Sequence, residues 1–97
     1  MPSYRLTREA DNDLLEIALY GYERFGVHQA DRYRDQLNAR FKELATHPLR
    51  YQAVNHIRDG YRRCVHGAHA IYYCIDSGQV AIVRILGNQD TQDAFFR

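Results

Sequence analysis

The sequence has little net charge, no long apolar run and few cysteines, and these shortages exclude several classes of protein. Its 97 residues carry a formal net charge of only +1, so overall charge does not indicate a nucleic-acid-binding protein. No apolar run approaches the ~20 residues of a membrane-spanning helix, and no charged-then-apolar leader is present. We therefore expect a protein of the cytoplasm that has no membrane partner.

The two cysteines, Cys64 and Cys74, are not expected to form a disulfide. The turns predicted between them put them on adjacent strands but opposite faces, whereas a disulfide needs Cα atoms about 4.4–6.8 Å apart. We interpret both as small core-type residues in a reducing compartment. The five histidines show no recognised zinc-motif spacing, so we expect neither a metal nor a cofactor.

The composition that remains is typical of a small folded domain. Hydrophobic residues make up 45% of the chain and charged residues 26%, a balance that disordered proteins do not reach. No repeat, low-complexity tract or internal boundary is visible. We expect one domain over residues 1–97.

The N-terminal half predicts a short strand followed by a helical hairpin. Ser3 to Leu6 can add a strand, and Thr7 is a helix N-cap. Gly26 ends the first helix and Pro48 ends the second, with so short a link at Gly26 that the helices must be antiparallel. Apolar residues at helical spacing give the buried stripes, Ala10, Leu14, Ile17, Ala18, Gly21 and Phe25 in the first helix and Ala30, Tyr33, Leu37, Phe41 and Leu44 in the second.

Residues 60–87 predict a three-stranded antiparallel meander. Val, Ile and Tyr dominate three runs, and the tight-turn signals Gly67-Ala68 and Ser77-Gly78 separate them. Two-residue loops fix the register. The predicted pairs are Arg62–Tyr73, Cys64–Ile71 and His66–His69 across the first turn, and Asp76–Gln79, Tyr73–Ile82 and Ile71–Arg84 across the second.

The predicted register divides the meander into two faces. One holds Tyr61, Arg63, Val65, Ala70, Tyr72, Cys74, Ala81, Val83 and Ile85, and we interpret it as the core face. The other is apolar in its middle but includes Arg62, Arg84 and both His66 and His69. With residues 49–59 as a loop and residues 88–97 as a short tail or helix, the prediction is a two-layer α+β fold with the order β-α-α-β-β-β.

Several segments match, in order and at matching spacing, those of a known family. They are Tyr4-Arg5-Leu6-Thr7, Tyr33, His47-Pro48, Ile57-Arg58-Asp59-Gly60-Tyr61-Arg62-Arg63, Gly67-Ala68-His69-Ala70-Ile71-Tyr72-Tyr73 and Val83-Arg84-Ile85-Leu86. Together they resemble the ParE toxins of bacterial ParD–ParE toxin–antitoxin modules, within the wider RelE/ParE superfamily. Many relatives carry a histidine after the Ile-Leu of the last strand, where this chain has Gly87.

The resemblance implies a toxin that inhibits DNA gyrase and that a ParD-type antitoxin neutralises by binding. DNA would then be contacted only indirectly, through the antitoxin. RelE-like members of the superfamily instead cut messenger RNA on the ribosome, using basic residues and an acid–base group. An inactive relative that only binds proteins is a third possibility.

The nuclease alternative is disfavoured by the residues at the aligned positions. Two RelE-type catalytic arginines align with His69 and Gln89, the C-terminal tyrosine aligns with Phe95, and a catalytic lysine aligns with Arg62. Each lost charge-stabilising group typically costs about 2.7–4 kcal/mol of transition-state stabilisation. We therefore expect no catalytic residue in this chain.

Two binding surfaces are expected, one for each protein partner. The antitoxin site is predicted at an apolar patch with basic edges, because large exposed apolar patches usually mark interfaces; its residues are Arg62, Ile71, Tyr73, Ile75, Ile82 and Arg84. The alternative is that the protein's own helices or tail cover this patch, and the family resemblance also permits a further antitoxin contact along the helical hairpin. The gyrase site is predicted at the aromatic and arginine residues Phe95, Phe96 and Arg97, together with Arg58 and Arg63.

Overall fold

A computed structural model describes residues 3–87 of the chain, and its elements follow the predicted order. They are β1 (Tyr4–Leu6), α1 (Arg8–Phe25), α2 (Val27–Thr46), β2 (Gln52–Ala53), β3 (Arg62–His66), β4 (His69–Asp76) and β5 (Gln79–Gly87). The predicted α+β fold is confirmed. The prediction for residues 88–97 lies outside the described residues.

Local signals set the ends of the two helices as predicted. The Thr7 hydroxyl accepts a hydrogen bond from the Ala10 amide at 3.1 Å, which satisfies one of the amides left open at the start of α1. Gly26 has φ of +84° and flanks both helices, as the C-cap of α1 and the N-cap of α2. The hairpin link is therefore this single residue, in a conformation that favours glycine.

The two helices approach each other closely where small residues meet. A Cβ on the buried Gly21 would lie 3.2 Å from the Ala30 Cβ, so a larger residue at either position would push the helices apart. Below this contact, the side chains of Leu37, Phe41 and Leu44 are fully buried. The predicted stripe of α2 is thus its core face.

The sheet has five strands in the order β1-β5-β4-β3-β2. The antiparallel meander β3-β4-β5 is confirmed, and β1 joins it by parallel pairing with β5. The strand β2 was not predicted, because residues 49–59 were interpreted as a loop. Its two residues pair with Arg63 and Arg62, and so short a strand leaves no alternating pattern in the sequence.

The predicted register holds everywhere except at one bulge. All three predicted pairs across the first turn are observed, as are Asp76–Gln79 and Tyr73–Ile82 across the second. A register shift between Tyr72 and Tyr73 then places Ile71 opposite Ile85, so the predicted Ile71–Arg84 pair is wrong. A bulge adds one residue to one strand, and every residue beyond it changes partner.

The prediction of the core face is also wrong. The helices cover the other face of the meander, where Cys64, Ile71, Tyr73, Val80 and Ile82 join the helical residues in the main core cluster. The face first interpreted as the core holds a smaller buried cluster, Val54, Ala70, Tyr72 and Leu86, with Ile57 and Tyr61 packed against it. Because both faces are apolar in their middle, pattern alone could not identify the face that the helices cover.

On the helix-covered side of the sheet, Arg84 of β5 forms an ion pair with Asp13 of α1. Arg84 donates from Nε and Nη2 to the two Asp13 oxygens at 2.7 and 3.0 Å, and the Ile85 amide donates to Asp13 Oδ2 at 3.0 Å. This bidentate bond raises the pKa of Arg84, and the Asp13 side chain is only 11% exposed. The pair therefore fastens α1 to β5.

Replacing Asp13 with alanine should destabilise the fold more than any exposed charge change on α1. Asp13→Ala leaves the Arg84 guanidinium and the Ile85 amide without their acceptor, and leaving such partly buried donors unsatisfied typically costs about 1–3 kcal/mol. Chemical denaturation of Asp13→Ala measures this, with the exposed Glu23→Ala as the matched control, expected within about 0.5 kcal/mol of wild type. Equal stabilities for the two variants would contradict the assignment.

Candidate protein-binding groove

An open groove of about 570 Å³ lies between the helical hairpin and the β3–β4 turn. Its apolar lining comes from both helices, and its end is closed by the turn. Among the lining residues are Leu14, Ile17, Gly21 and Phe25 of α1, Ala30, Tyr33 and Leu37 of α2, and Ala68 and His69 at the turn. A cleft of this size is typical of a binding site.

The groove exists because the hairpin has more apolar surface than the sheet covers. Phe25, predicted as part of the buried stripe of α1, is 56% exposed, and Tyr20 is exposed to the same extent. Gly21 and Ala30 also line the groove, and neither has a side chain larger than a methyl group. Arg32 and Arg34 also line the groove and are exposed, so an apolar surface lies beside basic groups. Such a surface suits the apolar face of a helix that has acidic neighbours.

Three rings close one end of the groove. The Tyr33 hydroxyl lies 3.0 Å from the His66 carbonyl oxygen and 2.7 Å from His69 Nδ1. A hydroxyl has one hydrogen, and we assign it to the His66 carbonyl; in this assignment His69 Nδ1 carries a hydrogen and donates it to the Tyr33 oxygen. Gly67 makes room for this arrangement, since a Cβ there would lie 2.9 Å from the Tyr33 hydroxyl.

The environment keeps both histidine rings neutral. Burial lowers the pKa of His69, and the neighbouring His66 lowers it further. Burial also lowers the pKa of His66, and so does the positive charge of Arg40, whose Nε lies 3.5 Å from His66 Nδ1. Burial raises the pKa of Tyr33, so that hydroxyl stays protonated.

The residues predicted for antitoxin binding do not form an exposed patch. Ile71, Tyr73 and Ile82 are fully buried beneath the helices, and the Tyr73 hydroxyl donates to the Pro48 carbonyl at 2.7 Å. The expectation that they face solvent is wrong, and the alternative of cover by the protein's own helices is what is observed.

The other members of the predicted patch differ from these three. Arg84 is engaged with Asp13, and Arg62 donates from Nη1 to the Tyr51 carbonyl at 2.6 Å. Ile75 is 49% exposed and remains accessible. The predicted patch is thus a buried sheet face with two paired arginines and one exposed edge residue.

The predicted gyrase residues lie partly within the described chain. The Arg58 guanidinium is 6.0 Å from the Tyr61 ring, and the Arg63 guanidinium is 5.9 Å from the Tyr72 ring. Arg63 Nε also donates to the Tyr72 hydroxyl at 3.0 Å. Both arginines therefore stack on tyrosines near the sheet face opposite the helices. Phe95, Phe96 and Arg97 lie outside the described residues.

The sequence interpretation missed the exposed apolar residues of the hairpin. Leu15, Leu19 and Val27 are each more than half exposed, as is Phe25. One signal was available, because Leu15 and Leu19 fall outside the stripe that Ala10 and Ile17 define. An apolar residue off the buried stripe of a helix indicates a second contact surface.

The described part of the chain offers neither a metal-binding cluster nor a membrane-spanning helix. Over residues 3–87, no group of three or more His, Cys, Asp or Glu side chains could hold a metal ion. Neither helix of that region is long and apolar enough to cross a membrane.

Comparison with known proteins identifies the family. Residues 4–91 match the family described as the ParE toxin of the type II toxin–antitoxin system parDE. The chain is 41% identical over 86 residues to Toxin ParE1 of Caulobacter vibrioides, covering 89% of this chain and 88% of that one. It is 34% identical over 84 residues to Toxin ParE1 of Mycobacterium tuberculosis, covering 86% of each.

A solved structure shares the fold. The chain superimposes with a TM-score of 0.76 and 19% identity on a protein described as the chromosomal ParDE system from P. aeruginosa, covering 90% of this chain and 96% of that one. The two proteins thus share an α+β fold, and in this chain that fold has an apolar groove on its helical hairpin. By its sequence the chain belongs to the ParE toxin family of type II toxin–antitoxin systems.

The lowered pKa values of His66 and His69 predict that the folded protein is less stable in acid than at neutral pH. An unfolded chain holds histidines at their ordinary pKa of about 6.5, so below that pH it binds more protons than the folded protein, whose values are lowered. Stability is therefore complete above this pH and falls as the pH drops through the lowered folded values. Thermal unfolding of a His66→Asn, His69→Asn double variant should show a flatter pH dependence than wild type, whereas the exposed His56→Asn should not. If the stability of all three proteins depended on pH in the same way, the prediction would be wrong.

Proposed function

We propose that this ParE-family toxin inhibits DNA gyrase by binding rather than by catalysis, and that a ParD-type antitoxin silences it by occupying the hairpin groove. The observation that carries the antitoxin site is the apolar groove that the two helices leave open. Family membership supports an antitoxin partner, and the structural relative is described as a ParDE system. DNA is contacted only through the antitoxin.

The groove replaces most of the patch that the sequence suggested. Ile71, Tyr73 and Ile82 support the helices from below, so they act on the groove through packing rather than contact. Phe25 offers an exposed aromatic ring, a residue type that dominates interface energetics. Arg32 and Arg34 offer charges for acidic residues of the partner. The exposed Ile75 is a candidate for a second contact, at the sheet.

A binding mechanism is supported by the state of the residues that a nuclease would need. The Arg62 side chain already donates to the Tyr51 carbonyl, and to the Leu49 carbonyl at 3.5 Å, so its charge is directed at the protein's own backbone. His69, which aligns with a RelE-type catalytic arginine, carries no fixed charge and is bonded through Nδ1 to the Tyr33 hydroxyl at 2.7 Å. Neither group is placed to activate a ribose hydroxyl.

For the gyrase surface we propose the C-terminal residues Phe95, Phe96 and Arg97, together with Arg58 and Arg63. Aromatic and arginine residues carry much of the binding energy at protein interfaces. Arg58 is exposed, and within residues 3–87 no carboxylate lies within 4 Å of its guanidinium, so its charge is available to a partner.

A charge placed in the groove should weaken the antitoxin without unfolding the toxin. Phe25→Glu puts a carboxylate on an apolar contact surface, and losing a central interface aromatic typically costs about 2 kcal/mol or more. We expect the antitoxin Kd to rise about thirtyfold or more, measured by titration calorimetry on protein shown by circular dichroism to be folded. The control is Leu49→Glu, which changes a residue that is 67% exposed and lies outside the groove. Similar affinities for the two variants would place the antitoxin elsewhere.

Removing residues 91–97 should separate the two binding activities. We expect this truncation to abolish toxicity and inhibition of gyrase supercoiling in vitro, while antitoxin affinity is largely retained, because the antitoxin binds the hairpin. If the truncated protein remained fully toxic, the gyrase-binding surface would be assigned to Arg58 and Arg63 instead. The Arg58→Ala variant would then test that assignment. Loss of both activities would assign Phe95 and Phe96 to the fold instead. Gyrase activity that is unchanged at any excess of folded full-length toxin would refute the proposed target.

A further inference from the structure

We propose that His69 makes occupation of the hairpin groove dependent on pH, so that protonation of its ring expels an apolar partner segment and acidification frees the toxin. The inference rests on the proposed function of the groove. It concerns one titratable residue that lines the same surface as Phe25 and Leu14.

His69 lies where a segment bound in the groove would contact its ring. His69 is the first residue of β4 and lines the groove at the β3–β4 turn. Its ring lies 5.6 Å from the Tyr33 ring, and its Nδ1 is committed to the Tyr33 hydroxyl. The added proton therefore goes to Nε2, and the whole ring becomes positive beside the apolar lining.

No described group at the groove compensates that charge. The titratable and charged residues that line the groove with His69 are Tyr20 of α1 and Arg32, Tyr33 and Arg34 of α2. His66 of β3 lies beside His69, and Arg40 of α2 lies beside His66. Among the described residues that line the groove there is no carboxylate. Two carboxylates beside the groove are already engaged. Asp31 lies 3.7 Å from Arg34 and accepts from the Tyr22 hydroxyl, and Glu43 accepts from Arg40 at 3.0 Å and from the Tyr51 hydroxyl.

An apolar occupant makes protonation harder still. In this proposal the apolar face of the segment covers His69 and excludes water from it, while its acidic neighbours meet Arg32 and Arg34. The added charge on His69 is then buried without a partner, which is costly. The complex therefore binds fewer protons than the free toxin over a range of pH below the ordinary histidine value of about 6.5. Where one proton is released on binding, the antitoxin Kd rises about tenfold for each unit by which the pH falls.

The experiment measures the Kd of full-length toxin for its ParD-type antitoxin from about pH 8 to pH 5. Three toxins are compared against the same antitoxin, so that titration of the antitoxin cancels: wild type, His69→Asn and the exposed control His56→Asn. Asparagine keeps an N–H donor near the Nδ1 position but cannot be protonated. For wild type we expect the antitoxin Kd to rise about tenfold for each unit that the pH falls below the point where His69 titrates. The Kd of His56→Asn should rise equally, whereas that of His69→Asn should change less than about twofold per pH unit.

A second measurement needs no variant. Nitrogen chemical shifts of the His69 ring report its tautomer and titration, and we expect an Nδ1–H tautomer that titrates at lower pH in the complex than in the free toxin. A flat wild-type profile, an affinity that rises in acid, or an undiminished slope in His69→Asn would overturn the inference. Absence of antitoxin binding even at pH 8 would instead refute the proposed function, and the inference would fall with it.

Discussion

The carboxylate of Asp13 holds the two layers of the protein in their relative position. It accepts two hydrogen bonds from the Arg84 guanidinium and a third from the Ile85 amide, so one side chain on α1 binds both side chain and backbone of β5. The bulge opposite Tyr72 and Tyr73 lies at this point of the sheet. At the N-terminal end of α1, the Thr7 hydroxyl donates to the Val83 carbonyl at 2.8 Å. The first helix is thus attached to β5 at both its N-cap and its second turn, and this attachment sets the position of the helix that lines the groove.

Features fixed by neighbouring residues were predictable from the sequence. The Thr7 cap, the Gly26 helix end and the glycine turns at Gly67 and Gly78 each depend on a few atoms close in the chain. The register of β3 with β4 followed from the turn alone. The bulge did not, because it depends on hydrogen bonds to Thr7 and Asp13, about 70 residues away in sequence.

The candidate site was less predictable for a related reason. A residue such as Phe25 has the spacing of a core residue, and only the extent of the sheet decides whether anything covers it. Tyr73 and Ile82 have the composition of an exposed contact patch, yet the helices cover them. Sequence pattern distinguishes apolar from polar surface, whereas the choice between self-contact and partner contact depends on how far each layer extends. The resemblance to ParE toxins predicted the class of protein without locating its contacts.

The single-residue link at Gly26 limits how this surface can change during evolution. Most helical hairpins can accept insertions in their loop, which alters the spacing and angle of the helices at little energetic cost. Here the end of α1 and the start of α2 share one glycine in a left-handed conformation, so there is no loop to lengthen. New partner preferences must therefore arise by replacing side chains along the groove. A lineage of such toxins would diversify through the size and charge of its groove residues while the backbone beneath them stays constant.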